Sequence, residues 1–94
     1  MLLLPATVTL AEARDTLRML QQSLEGDSGA LEIAVDASQL SAFDSSTLAV
    51  LLECRRLAAT ANRPFAVRGA PAHLTNLARL YGVDELLGMT PAAG

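Results

Sequence analysis

SAFDSSTLAVLLECRRLAATA, residues 41 to 61, runs from four polar side chains into a mostly apolar stretch with a helical period. At 100° per residue, Val50, Leu51, Cys54, Leu57, Ala58 and Ala61 share one arc, and Glu53, Arg56 and Thr60 share the opposite one. The spacing predicts a helix with one face toward a core and one toward water. Asp44, Ser45, Ser46 and Thr47 stand at its start, where a short side-chain oxygen accepts from the free N–H groups of the first turn. Either Asp44 or Ser45 fits as the N-cap. A third strip, Leu48, Leu52, Arg55 and Ala59, belongs to neither face. It is a docking surface or the packing face for a neighbouring helix, and the pattern leaves both open.

Working outward, Asn62, Arg63 and Pro64 form the turn after this helix, and Phe65 to Arg68 reads as a short strand stopped by Gly69. Pro71 suits the first turn of a further helix that buries Leu74, Leu77, Ala78 and Tyr81, with Gly82 as its left-handed terminator and Val83 folding back. Asp84 to Leu87 extend it by a turn. Upstream, Ala30 to Asp36 alternates Leu31, Ile33 and Val35 with Glu32, Ala34 and Asp36, the two-residue period of a strand. Residues 37–43 read as loop. Thr9 to Glu12 has capping-box spacing, so a helix is expected from about Leu10, burying Leu10, Ala13, Leu17, Leu20 and Leu24 and ending at Gly26. Leu2 to Leu4, closed by Pro5, fits a strand fragment at a sheet edge.

Strands alternating with helices predict an α/β sandwich with a small, mostly parallel sheet, the Ile33 and Val67 strands central and parallel beside the strand around Leu3. In such sheets functional groups gather past the carboxyl ends of the strands, where Asp44 to Thr47 fall. A single domain is expected over residues 1–87, with a flexible tail at 88–94.

Composition narrows the chemistry. The chain has 94 residues, 51% hydrophobic and 18% charged, enough for a core and too apolar for disorder. Net charge is -3, and the seven basic residues are all arginines, scattered at 14, 18, 55, 56, 63, 68 and 79, so no basic stripe offers itself to nucleic acid. One cysteine, Cys54, cannot form an intrachain disulfide. One histidine, His73, is too few for a metal cluster and has no nucleophile or carboxylate beside it. There is no G-x-S-x-G elbow, no phosphate-binding loop and no lysine, so neither hydrolase nor ATPase chemistry is expected, and no cofactor. Leu2 to Leu4 is too short for a secretory leader and no apolar run reaches membrane-spanning length, which predicts a cytoplasmic protein without direct membrane insertion.

Val35-Asp36-Ala37-Ser38, then Phe43-Asp44-Ser45-Ser46 and a leucine-rich helix, resembles the STAS domain family over roughly residues 2 to 87. Asp44 to Leu52 and Leu77 to Val83 are most similar to its MlaB type, the cytoplasmic STAS subunits of Mla phospholipid-transport ABC complexes. Two departures stand out: the usual first N-terminal strand would precede residue 1, and Thr47 replaces the glycine of anti-sigma factor antagonists. The resemblance implies a non-enzymatic accessory subunit that binds a transporter ATPase and supports outer-membrane lipid asymmetry, peripheral to the inner membrane through that partner, with no small-molecule substrate. Partner-binding or regulatory residues would be Asp44, Ser45, Ser46, Thr47, Leu48, Leu52 and Arg55. Ser45 is the sensitive hydroxyl by likeness to the MlaB type. Ser46 is the phosphorylated one by likeness to the antagonists, the alternative function, and Ser45 beside it is the second candidate for phosphorylation. A phosphate there would lie at the positive end of the helix and add charge to a close interface.

Overall fold

The computed structural model describes residues 2–26 and 32–91. Four strands form a parallel sheet in the order β1 (Leu2–Leu3), β3 (Ile33–Asp36), β5 (Phe65–Ala70), β6 (Met89–Pro91), and a second ladder joins β2 (Thr7–Val8) to β4 (Ala42–Phe43), also in parallel. Three helices complete the chain: α1 (Ala13–Gly26), α2 (Ser45–Thr60) and α3 (Ala72–Leu80). The α/β architecture and the central, parallel placement of the Ile33 and Val67 strands agree with the sequence pattern. β1 is an edge strand, and Leu3 on it is 52% exposed. Helix α1 packs on β1 and α2, α2 on β5, and α3 on β6.

Burial explains the elements. Ile33, Ala34 and Val35 are all buried, so β3 is covered on both faces and its two-residue alternation does not separate core from water. On α2, Val50, Leu51, Cys54 and Ala58 enter the core as their spacing predicts, whereas Ala61 is exposed. Helix α3 ends in a Schellman motif: Gly82 has φ +73°, its N–H donates to Arg79 O at 3.0 Å, and the Val83 N–H donates to Ala78 O at 2.9 Å. Asn62 (φ +57°) and Arg63 close α2 in the same way onto Ala59 and Ala58.

Several boundaries depart from the sequence reading. Helix α1 begins at Ala13 rather than Leu10, because the Glu12 carboxylate accepts from both the Thr9 N–H (3.1 Å) and the Thr9 hydroxyl. The hydroxyl is drawn to the carboxylate and accepts from no first-turn N–H among the described residues, and residues 9–12 close as a turn. Leu10, expected in the core, is 77% exposed. Tyr81, expected on the buried face of α3, is 59% exposed. Asp84 to Leu87 form a turn rather than helix, one that buries Leu87 completely. Met89–Pro91, placed by sequence in a fraying tail, pairs with β5. Leu24 and Leu31 fall where no side chain is described.

Gly69 does not stop β5. It lies inside the strand with φ +68°, where the pairing with β6 shifts register, and a Cβ there would sit 3.0 Å from the Ser38 Cβ. Gly69→Ala is therefore expected to destabilise the domain by roughly 1–3 kcal/mol, from the left-handed backbone and the contact together. Urea unfolding measures it, and a loss below about 0.5 kcal/mol, the range of an ordinary surface change, contradicts it.

Candidate functional site

The N-terminus of α2 is clamped from three sides. Ala6 O accepts from the N–H groups of Ser41 (2.8 Å) and Ala42 (3.0 Å), which ties the β2–β4 ladder at its base. Asp44 is the N-cap: its extended backbone (φ -144°, ψ -166°) aims Oδ1 at the Ser46 N–H, 2.8 Å away, and Oδ2 accepts from the Leu10 N–H at 3.2 Å. Thr47 is fully buried, and its hydroxyl donates to Val8 O at 2.5 Å. Two of the four polar residues in this run are therefore pins that fix the start of α2 against the segment leading into α1.

The other two are free. Ser45 is exposed and Ser46 half-buried, and neither hydroxyl has a hydrogen-bond partner among the described residues. Each opens onto a different apolar groove. The first, about 240 Å³, lies between α2 and the end of α3 and is lined by Ser45, Leu48, Ala49, Leu52, Tyr81 and Val83. The second, about 290 Å³, lies between α1 and α2 and is lined by Leu10, Ala13, Arg14, Leu17, Ser46, Ala49 and Val50. Ala49 lines both and is exposed, so it forms the low ridge between them. Leu10 and Tyr81, the exposed apolar side chains that departed from the expected core, stand one at each groove.

The strip Leu48, Leu52, Arg55 and Ala59 divides by burial. Leu48 is 3% exposed and belongs to the core, presenting only an edge to the first groove; Leu52 is half-buried and packs against that core. The Arg55 Nε donates to Leu86 O at 2.8 Å, which latches the turn after α3 onto α2. Ala59 is exposed. The groove-lining residues that the sequence pattern did not single out as a site, Leu10, Ala49, Tyr81 and Val83, come from three segments that meet only in the fold. Their one sequence signal is Val83 after the Gly82 terminator, which marks an apolar residue folded back on its helix.

Chemistry within this region is spare. Burial, with the neighbouring Glu53 charge, pushes the Cys54 thiol up to about 11, which keeps it protonated in the core. Hydrogen bonds from Thr9 hold the Glu12 carboxyl below its usual range. His73 is exposed on α3 and hydrogen-bonds to no hydroxyl among the described residues. No group of three or more metal-ligating side chains gathers among the described residues. No helix there is long and apolar enough to cross a membrane.

A small α/β domain of this architecture, with three helices and a parallel sheet, is STAS-like. The family model described as "Mlab, STAS domain" matches residues 2–88, nearly the whole chain, and the protein belongs to that family. Against curated proteins the chain finds no match.

Proposed function

We propose that this domain is a non-enzymatic accessory subunit that binds the ATPase of an Mla-type ABC phospholipid transporter at the cytoplasmic face of the inner membrane, through the N-terminal half of α2. The observation that carries the reading is the exposed apolar face around Ala49, flanked by the unpartnered hydroxyls of Ser45 and Ser46. Apolar ground edged by free hydrogen-bonding groups is the usual composition of a protein interface core and its rim. Membership of the MlaB-type family directs the choice of partner. The pins at Asp44 and Thr47 support it as well, since they hold the first turn of α2 rigid and reduce the ordering cost of binding. The domain contributes contacts that stabilise or gate the ATPase, and the nucleotide chemistry remains with the partner.

Ser45→Glu tests the reading. A carboxylate at a helix N-terminus is neutral to stabilising for the helix by about 0.3–1 kcal/mol, yet it must be desolvated in an interface. The thermal midpoint of the free domain is expected to stay within a few degrees while affinity for the purified ATPase subunit drops about tenfold or more. Unfolding by Ser45→Glu, or unchanged affinity, makes Ser45 a capping-region residue without a binding role.

A further inference from the structure

Arg14 is the one charged residue lining the groove between α1 and α2. It is exposed, and its guanidinium has no ion-pair or hydrogen-bond partner among the described residues. The same holds for Arg18, one helical turn further along the same side of α1, and Asp15, three residues before Arg18, makes no ion pair with it. Elsewhere arginines are engaged: Arg56 with Glu53, Arg68 with Glu32 at 2.5 Å, Arg55 with the Leu86 carbonyl, and Arg79 with Asp84 at 4.0 Å. On a chain of net charge -3, Arg14 and Arg18 place two positive charges one helical turn apart on α1, the first of them in the lining of this groove.

We infer that the partner element seated in the α1–α2 groove is an amphipathic helix whose apolar side covers Leu10, Ala13 and Ala49 and whose Asp or Glu side chains meet Arg14 and Arg18. The inference rests on the proposed ATPase binding and names the chemistry of the segment that does it. A groove framed by two helices takes a third along its length, with anchors at helical spacing, and two cations one turn apart match carboxylates one turn apart. Charge argues against the other occupants. A two-fold contact centred on this groove would bring Arg14 and Arg18 near their own equivalents. An anionic lipid surface would meet an acidic molecule with one cation lining the groove and a second one helical turn along α1, fewer than the clusters that hold proteins to such surfaces.

The test is titration of the transporter's purified ATPase subunit with the wild-type domain, Arg14→Glu, Arg14→Gln, and Arg79→Glu as a control of equal charge change, at about 50 and 300 mM salt. Circular dichroism confirms that each variant is folded. Arg14→Glu is expected to weaken binding roughly tenfold or more, Arg14→Gln by less, and Arg79→Glu by no more than about twofold, with the Arg14 effects shrinking at the higher salt. If the wild type binds and Arg14→Glu binds equally well, the acidic helix is wrong while the α2 reading stands. If the wild type binds no ATPase, or binds instead to itself or to anionic vesicles, the proposed partner and the inference fall together.

Discussion

Ala49→Glu is expected to abolish measurable binding to the ATPase subunit, a loss on the order of a hundredfold or more in Kd, while the domain unfolds at nearly the wild-type temperature. Ala49 is exposed and lines both grooves, so any partner lying across this face passes over it. In the free domain the substitution costs little, because glutamate is a good helix former and its side chain stays in water. In the complex the carboxylate fills the ridge between the grooves, must shed its hydration, and competes for Arg14 with the partner's own acidic groups. Titration calorimetry together with a thermal melt separates the two effects. Retention of full affinity shows that the interface lies elsewhere on the molecule.

Leu48→Ala is expected to do the opposite, destabilising the fold by about 2–5 kcal/mol as a core truncation does. For a domain of this size that lowers the melting temperature by roughly 10 °C or more. Leu48 is 3% exposed and sits in the same buried cluster as Leu51, Cys54 and Leu74. Tyr81→Ala is the contrast: this side chain is 59% exposed, so its loss leaves stability nearly unchanged while removing an aromatic wall of the first groove. If Leu48→Ala and Tyr81→Ala shift the melting temperature equally, the division of this face into core wall and surface anchor is wrong.

Long-period patterns carried the fold and short-range chemistry hid the rest. Helix α2, α3 and the parallel pairing of β3 with β5 are legible because each repeats its signal over several turns or residues, whereas the cap of α2 reads only as Asp44 or Ser45. The two-residue strands β2 and β4 have no period to read, yet their ladder is what brings the starts of α1 and α2 together. The turn at Thr9 mimics a capping box because spacing cannot show whether a hydroxyl accepts or donates. Gly69 reads as a strand end because its role, a left-handed residue close to Ser38, depends on a neighbour 31 residues upstream. The hydroxyl cluster was visible in the sequence as four equivalent residues, and only the contacts of Asp44 with Leu10 and of Thr47 with Val8 separate the two pins from the two free serines. The grooves were not legible, since Tyr81 and Val83 reach α2 from an element beyond β5.

Affinity capture of the tagged full chain from detergent-solubilised membranes and cytoplasm, with the co-purifying proteins identified, decides the identity of the partner. Recovery of an ABC-transporter ATPase together with its membrane permease is expected, lost when the bait carries Ala49→Glu. Recovery of an anti-sigma factor or its serine kinase, with no transporter ATPase, would contradict it.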